Sequence, residues 1–219
     1  MTSATRRLHR VLIVDDHPLV VTGLRDALAG STEFEVVGAV ATESEAVRVA
    51  AESKPDLAIV DMALSRGSGL GVIKLLHAQL PAVRMLVFTM HDEALYAERA
   101  VRSGASGFLN KSASADDLLA ALRDVADGKT AISEQLNDRL VQRALGRGGG
   151  EDAVESLSDR ELEIFEHIGR GRSLKSVGAE LGISVKTVET HRENIKRKLE
   201  LNSASELARF ATIWTERST

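Results

Sequence analysis

The chain contains 219 residues, of which 43% are hydrophobic and 27% charged, a composition typical of one or two globular domains that excludes a largely disordered chain. Because the chain has no cysteine, a disulfide framework, a thiolate metal site and cysteine nucleophilic catalysis are also excluded. The net charge of -4 conceals a basic segment, since residues 186–198 carry five basic and two acidic side chains.

The N-terminal segment predicts neither a targeting signal nor a membrane span. The longest apolar runs, such as Val11–Val14, fall far short of the roughly 20 residues that cross a bilayer. Arg6, Arg7 and Arg10 are not followed by the apolar stretch of a secretory signal. We therefore expect a cytoplasmic protein with no membrane partner.

The first part of the chain alternates short apolar runs with helix-length amphipathic segments. The apolar runs are Val11–Val14, Val36–Val40, Leu57–Val60, Met85–Phe88 and Gly107–Leu109. The helical segments span about 18–29, 43–53, 70–79, 93–103 and 115–127. This alternation predicts βαβ units and a doubly wound, five-stranded parallel sheet of the flavodoxin-like type. In such a sheet the functional site lies beyond the carboxyl ends of the strands.

The second part of the chain has the pattern of an all-helical domain. Four of the five residues at 146–150 are glycine, which predicts a flexible tether after a short amphipathic helix. Downstream, no strand pattern remains, and capping boxes at Ser158–Glu161 and Ser203–Glu206 begin helices. The predicted organisation is an α/β domain, a linker and an all-helical domain, at residues 1–127, 128–152 and 153–219.

Two helices of the second domain have the spacing of a helix-turn-helix. They span about 173–181 and 185–199 and are separated only by Gly182-Ile183-Ser184. Val188 and Ile195 lie on the inward face of the second helix, and polar side chains occupy its other face. A solvated surface helix is the alternative interpretation, but the short glycine turn and the basic segment favour a helix that enters the DNA major groove.

Five polar side chains follow successive strands of the predicted sheet. Asp15 and Asp16 follow the first strand, Asp61 the third, Thr89 the fourth and Lys111 the fifth. Clustered carboxylates repel one another unless a cation lies among them, and hard oxygen ligands favour Mg²⁺. A carboxylate beside such an ion can accept a phosphoryl group. Any one of these side chains alone is equally consistent with a solvated loop end, whereas their joint placement predicts a phosphoacceptor site.

Four short motifs at the strand ends carry a family resemblance. They are Val-Asp-Asp at 14–16, Val-Asp-Met at 60–62, Phe-Thr-Met at 88–90 and Gly-Phe-Leu-Asn-Lys at 107–111. The first 127 residues therefore resemble a response-regulator receiver domain. The resemblance implies that Asp61 is the phosphoacceptor and that Asp15, Asp16, Asp61 and the Ala63 carbonyl bind Mg²⁺.

The same resemblance implies a conformational switch formed by Thr89, Lys111 and Phe108. A purely structural role as a core aromatic is the alternative for Phe108. His17 has no partner at metal-ligand spacing, so we interpret it as a helix-entry or surface residue.

The loop 63–67 departs from the family pattern, because it reads Ala-Leu-Ser-Arg-Gly where the family usually has Met-Pro-Gly. Without the proline the loop is less constrained, which affects metal affinity or phosphoryl lifetime.

Residues 153–219 resemble the LuxR-type DNA-binding domain. Leu157-Ser158-Asp159-Arg160-Glu161 opens the match, and the helix from Ser184 to Leu199 carries the family signature. With the receiver in front, the chain is similar to NarL/FixJ-type response regulators. The resemblance implies DNA contacts from Lys186, Thr187, Glu189, Thr190, His191, Arg192, Glu193, Asn194, Lys196 and Arg197.

Two of the implied contacts have structural alternatives. His191 is equally suited to pack against the first helix of the domain. The helix at 204–216 presents Leu207, Ala211 and Trp214 on one face, and the resemblance implies a dimer contact there, whereas core packing is the alternative.

The predicted function is a transcription regulator of a two-component system. A sensor histidine kinase phosphorylates Asp61, and the resulting homodimer binds double-stranded promoter DNA and acts with RNA polymerase. The protein is not expected to be an enzyme, because a phosphohydrolase with an aspartyl nucleophile has its two acids two residues apart on the first strand. The remaining alternative is an atypical regulator controlled by a protein or small ligand without phosphorylation, for which the altered loop is the support.

Overall fold

The chain forms two compact units, Met1–Leu140 and Val141–Thr219. The computed structural model describes residues 8–64, 67–91, 93–144 and 153–217. The predicted glycine tether at 146–150 lies outside these residues. None of the helices in the described ranges combines the length and the hydropathy of a membrane span.

The first unit is a five-stranded parallel sheet flanked by helices. Its strands β1 to β5 are His9–Val14, Phe34–Val40, Leu57–Val60, Arg84–Thr89 and Gly107–Asn110. Its helices α1 to α5 are Pro18–Ala29, Glu43–Ser53, Gly69–Gln79, Glu93–Ser103 and Ala115–Ala126. The strand order β2-β1-β3-β4-β5 confirms the predicted doubly wound sheet.

The central strands are apolar at successive positions because both faces of the sheet are covered. Residues 11–14 of β1 and 57–60 of β3 are all buried, as expected for a parallel sheet between two helical layers. On one face, Val11 and Ile13 pack with side chains of α1 and α5, among them Leu24 and Leu122. Unbroken apolar runs of this length therefore predicted the buried strands correctly.

The first unit continues beyond residue 127, where the sequence pattern placed the end of the receiver. Ala131 forms a parallel bridge with Gly107, and its amide donates to the Ser106 carbonyl at 3.0 Å. The Phe108 amide in turn donates to the Ala131 carbonyl at 2.8 Å, so this segment extends the edge of the sheet beside β5. Helix α6, Glu134–Ala144, follows with Leu136 buried. A bridge of one residue pair leaves no periodic pattern in the sequence. The sequence pattern therefore ended at residue 127, whereas the compact unit extends to Leu140.

Gly23 provides a stability test in helix α1. A Cβ atom built at Gly23 meets no heavy atom within 4 Å, so Gly23→Ala should stabilise the first unit by about 1 kcal/mol through helix propensity. Gly69→Ala is the opposed control, because a methyl group there would overlap the Asp61 carbonyl oxygen and should destabilise the unit. Thermal unfolding of both variants measures the difference, and destabilisation by Gly23→Ala would contradict the open surroundings of this position.

The second unit consists of helices, which confirms the predicted all-helical domain. After a short 3₁₀ turn at Ala153–Ser156 come α7 to α10, at Asp159–Gly169, Leu174–Glu180, Val185–Lys198 and Ala204–Arg217. The hydroxyls of Ser158, Ser173 and Ser184 each accept a hydrogen bond from the amide three residues later. These caps satisfy backbone donors that a helix leaves unpaired at its start, so serines set the beginnings of α7, α8 and α9.

The core of the helical unit is built on Phe165 of α7. Its fully buried ring lies 5.2 Å from the Trp214 ring in an edge-to-face arrangement and 5.8 Å from the Phe210 ring. Gly169 lets α7 approach α10 closely, because a Cβ atom there would lie 2.5 Å from the Ala211 carbonyl oxygen. The sole tryptophan of the chain therefore belongs to the packing between α7 and α10.

An ion pair with a buried carboxylate joins the start of α7 to the end of α9, since 6% of the Glu161 side chain and 34% of the Lys198 side chain are exposed. Lys198 Nζ lies 2.6 Å from Glu161 Oε2 and also donates to the Ser156 carbonyl at 3.1 Å. The Glu161 carboxylate accepts from the Ser158 amide at 2.7 Å, which completes the predicted capping box. Burial favours a higher pKa for Glu161, but the hydrogen bonds from Lys198 and Ser158 outweigh it and lower the pKa.

This ion pair makes the acid stability of the helical unit depend on Lys198. Because the folded-state pKa of Glu161 lies below its ordinary 4.5, its stabilisation is complete above that pH and is lost as the pH falls through the folded-state pKa. Lys198→Met should therefore reduce stability at pH 7 and flatten its decline toward pH 3. Urea unfolding followed by Trp214 fluorescence measures this. Lys186→Met, an exposed lysine of the same helix, is the control; the idea fails if both variants keep the wild-type pH profile.

Candidate functional site

The first candidate site lies at the carboxyl ends of β1 and β3. These strands pair in register at Val14 and Val60, so the residues that follow them, Asp15 and Asp61, become neighbours. The Asp61 amide donates to the Val14 carbonyl at 2.8 Å and holds the two loop starts together. Both carboxylates are buried, with 4% of Asp15 and 2% of Asp61 exposed. Two charges in this environment require a compensating cation.

Lys111 supplies that cation within the chain. Its Nζ atom lies 2.7 Å from Asp15 Oδ2 and 2.8 Å from Asp61 Oδ2. Its amide donates to the Thr89 carbonyl at 2.8 Å, which fixes the start of the loop after β5 against the end of β4. The structure therefore brings the five side chains that the sequence placed at strand ends to one edge of the sheet.

The remaining oxygens of the cluster fit a divalent cation. Asp61 Oδ1 is buried and has no hydrogen-bond partner among the described residues. Asp15, Asp16, His17 and Asp61 each offer one ligand atom within 4.8 Å of the others. Three carboxylates form the hard oxygen donor set that Mg²⁺ prefers, so the residues present fit this ion. The sequence interpretation placed His17 outside any metal site, whereas the structure places its ring nitrogen beside the carboxylates.

The other predicted site residues have mixed surroundings. Thr89 is fully buried, and its hydroxyl accepts from the His91 amide at 3.3 Å. Phe108 is buried and pairs with Val87 across β4 and β5, as a core aromatic does. Ala63 is exposed at the start of the loop that departs from the family pattern. Ser65 and Arg66 of that loop lie outside the described residues.

Glu43 at the start of α2 is a neighbour of this loop that the sequence pattern did not indicate. Its Oε2 atom accepts from the Ser68 amide at 3.4 Å, just before α3 begins. Gly67 and Gly71 make room for it, because Cβ atoms there would lie 2.9 Å from Glu43 Cβ and 2.5 Å from Oε2. Gly69 lies directly against the Asp61 carbonyl oxygen. The glycine-rich 67–71 stretch therefore serves close packing beside the strand that ends at Asp61.

The second candidate site is helix α9 of the helical unit. Val188 and Ile195 are fully buried and anchor one face, while Leu199 caps the packed end of the helix. Most of the predicted DNA-contacting side chains point to solvent. The exposed residues are Lys186, Thr187, Glu189, Thr190, Glu193 and Arg197, and the partly buried ones are His191, Arg192, Asn194 and Lys196.

The cations of α9 differ in their pairing. Lys196 Nζ lies 2.7 Å from Glu193 Oε2, and Arg192 Nη2 lies 3.5 Å from Glu193 Oε1. Hydrogen bonding from Lys196 lowers the pKa of Glu193. Lys186, in contrast, forms no salt bridge with any residue in the described ranges. Arg197 also forms no salt bridge with the described residues but donates to Asn194 Oδ1 at 3.1 Å, so Lys186 and Arg197 are the cations of this helix available to phosphate groups.

The side chains proposed as dimer contacts differ in burial, and the role of the partly buried Trp214 in a dimer stays a prediction. Leu207 and Ala211 are fully buried on the side of α10 that packs against α7, and Trp214 contacts Phe165. Side chains enclosed in the unit's own core leave no surface for a partner, so the core-packing alternative accounts for Leu207 and Ala211. Ile213 is an exposed large apolar side chain of this helix. His191 Nδ1 is buried without a hydrogen bond from the described residues, which agrees with packing rather than with base contact.

Comparison with known proteins agrees with this arrangement. Residues 11–123 match the response regulator receiver domain, and residues 155–211 match bacterial regulatory proteins of the luxR family. The chain is 33% identical over 202 residues to the transcriptional regulatory protein MctR of Rhizobium johnstonii, which covers 92% of each chain. It is 35% identical over 208 residues to the oxygen regulatory protein NreC of Staphylococcus haemolyticus, covering 92% of this chain and 96% of that one.

A solved structure shares the fold over nearly the whole chain. RcsB of Salmonella enterica serovar Typhimurium, bound to a promoter in the presence of a phosphomimetic, has a TM-score of 0.65. The two sequences are 22% identical, with 94% of this chain and 98% of that chain covered.

The chain combines a parallel α/β unit, whose acidic pocket contains Lys111, with a helix-turn-helix unit. This combination defines a signalling protein with a receiver domain and a DNA-binding domain. The chain belongs to the response-regulator family of the NarL/FixJ type, with a LuxR-type DNA-binding domain.

Proposed function

We propose that this protein is a cytoplasmic response regulator in which a sensor histidine kinase phosphorylates Asp61 and thereby promotes binding of a homodimer to promoter DNA. The observation that carries the proposal is the state of the Asp61 carboxylate. One of its oxygens pairs with Lys111 at 2.8 Å, and the other is buried and has no hydrogen-bond partner among the described residues. A nucleophilic oxygen and its counter-cation are thus already assembled.

The receiver residues have distinct roles in phosphoryl transfer. An Asp61 oxygen forms the new bond to phosphorus while the bond from phosphorus to the imidazole nitrogen of the kinase breaks, and its electron pair stays with the imidazole. Asp15, Asp16, Asp61 and the Ala63 carbonyl would hold Mg²⁺, which neutralises charge on the transferred group. Lys111 donates to one phosphoryl oxygen and Thr89 to another.

Phosphorylation then changes the partners of Lys111. Its ammonium currently joins Asp15 and Asp61, and a phosphoryl group on Asp61 offers further anionic oxygens to it. Thr89 and Lys111 are linked through the backbone, so both loop starts respond to the same event. Phe108 on β5 is the proposed third member of the switch. Because Lys111 contacts the phosphoryl group more favourably in one conformation of the receiver than in the other, phosphorylation shifts the equilibrium toward that conformation.

Helix α9 is the proposed DNA-reading element. It lies in the major groove with Lys186 and Arg197 meeting phosphates, and with Thr190, Glu189 and Asn194 near base edges. Thr187, His191, Arg192, Glu193 and Lys196 complete the proposed interface. RNA polymerase is the proposed downstream partner of the promoter complex.

Phosphorylation is tested with acetyl phosphate and Mg²⁺ on the full-length protein. Intact mass should show one added phosphoryl group on wild type and none on Asp61→Asn. Fluorescence anisotropy at fixed salt should show tighter promoter binding only for phosphorylated wild type. The proposal fails if wild type binds the promoter equally tightly with and without the phosphoryl group. That result would support the alternative of an atypical regulator controlled by a protein or small ligand.

The DNA interface is tested with Lys186→Ala. Loss of the Lys186 ammonium should weaken binding to all DNA sequences. It should also reduce the slope of log affinity against log salt by about one, since one phosphate contact disappears. Arg209→Ala removes an exposed cation from α10 of the same unit and should leave the slope unchanged. If Lys186→Ala and Arg209→Ala behave alike, α9 does not lie in the groove as proposed.

A further inference from the structure

We infer that His17 is a nitrogen ligand in the cation site of the acidic pocket, beside the three carboxylates, and that it favours first-row transition-metal dications over Mg²⁺. The inference rests on the proposed cation site but not on phosphorylation. It assigns to His17 a role that Mg²⁺ binding does not require, because Mg²⁺ takes oxygen ligands.

The positions of the donor atoms carry the inference. His17 Nδ1 lies 3.1 Å from Asp15 Oδ1 and 3.1 Å from Asp16 Oδ1. Asp61 Oδ2, which Lys111 holds, is 3.7 Å from the same nitrogen. Neighbouring ligands of an octahedral ion with bonds of about 2.1 Å are roughly 3 Å apart, so these separations suit one shared ion. The buried Asp61 Oδ1, which has no hydrogen-bond partner among the described residues, points independently to a missing ligand.

The local structure holds the imidazole at the pocket. Its Nδ1 atom is within hydrogen-bond distance of Asp15 Oδ1, at 3.1 Å, so a bound metal ion would take the place of the proton between these two atoms. The His17 amide donates to Asp15 Oδ1 at 2.8 Å, which fixes the backbone of His17 beside the cluster. Its side chain provides no cap for α1, which begins at Pro18. The His17 side chain is 58% exposed, so the imidazole lies at the solvent side of the pocket. Lys111 occupies Oδ2 of both Asp15 and Asp61, which leaves the His17 side of the pocket for the metal.

The chemistry of the donor set predicts selectivity. Imidazole nitrogen is a good ligand for Ni²⁺, Co²⁺ and Zn²⁺, and the affinity of such sites rises along the first transition row toward copper. Mg²⁺ gains little from the same nitrogen. Removal of His17 should therefore weaken binding of a transition-metal ion selectively, whereas removal of a carboxylate should weaken binding of both kinds of ion.

The test is isothermal titration of tag-free, full-length protein with Ni²⁺ and, separately, with Mg²⁺, in the absence of a phosphoryl donor. His17→Ala should weaken Ni²⁺ binding roughly tenfold or more and change Mg²⁺ binding much less. Asp16→Asn should weaken binding of both ions. His9→Ala, which removes a histidine from the opposite end of β1, should change neither affinity. His17→Asn serves as a second variant with a side chain suited to the residue before a helix.

A spectroscopic measurement separates ligation from an indirect effect. Pulsed electron paramagnetic resonance of the Mn²⁺-loaded protein should show modulation from a coordinated nitrogen in wild type and in His9→Ala. The signal should be absent in His17→Ala and His17→Asn. The inference is overturned if the nitrogen signal persists without His17, or if the His17 variants weaken Ni²⁺ and Mg²⁺ binding equally or not at all. None of these results depends on whether Asp61 accepts a phosphoryl group.

Discussion

Replacement of Lys111 by methionine should destabilise the receiver unit by roughly 3 kcal/mol when Mg²⁺ is absent, because it leaves two buried carboxylates without a counter-ion. Only 9% of the Lys111 side chain is exposed, and its ammonium lies within 2.8 Å of oxygens from both Asp15 and Asp61. Water compensates the two carboxylate charges less well than the ammonium does. Calorimetric unfolding measures the loss, and the receiver transition is the one that Mg²⁺ shifts.

Lys129→Met is the matched control for this prediction. Lys129 pairs with Asp124 at 2.9 Å, a similar distance, but 64% of its side chain is exposed. Exposed pairs contribute about 1 kcal/mol or less because solvent screens them. Lys111→Met should therefore lower the free energy of unfolding clearly more than Lys129→Met does, although the two ion pairs have similar distances. Equal decreases would show that burial does not make the Lys111 pair strong.

Two additions should restore part of the stability lost in Lys111→Met. Saturating Mg²⁺ supplies positive charge to the carboxylates, and Asp61→Asn in the same chain removes one of the uncompensated charges. Each should raise the unfolding temperature of the receiver more in the Lys111→Met background than in wild type. A gain of the same size in both backgrounds would mean that the loss arises from side-chain packing rather than from charge.

Replacement of Phe165 by alanine should destabilise the helical unit by about 3–5 kcal/mol, because it removes a fully buried ring from the contact between α7 and α10. Units of this size have a total stability of only several kcal/mol, so most of it should be lost. Since α9 packs on α7, promoter binding should fall with it.

The single tryptophan makes this measurement specific to one unit. Trp214 lies against Phe165, so urea unfolding followed by its fluorescence reports the helical unit and not the receiver. Phe210→Ala is the control, because Phe210 is only partly buried. Its ring lies 5.8 Å from the Phe165 ring, whereas the Trp214 ring lies 5.2 Å away. Phe210→Ala should cost clearly less than Phe165→Ala. If the two variants unfold at the same urea concentration, Phe165 is not the centre of this core.

Local patterns in the sequence determined the elements and the strand-end residues. Apolar runs and helical periodicity placed the strands and most helices within a few residues of their observed bounds, since both features depend on near neighbours in the chain. Asp15, Asp61 and Lys111 then followed from topology alone, because parallel strands bring their carboxyl ends to one edge of the sheet. Serine caps such as Ser158 marked helix starts for the same local reason.

The tertiary structure decided the contacts that join distant segments. His17 beside Asp16, Glu43 beside Ser68 and Lys198 beside Glu161 each depend on how loops and helix ends meet in space. Amphipathic spacing also showed that one face of α10 is apolar, but only packing against α7 showed that this face is buried within the unit. Periodicity determines which face of an element is apolar, whereas the partner of that face depends on contacts far apart along the chain.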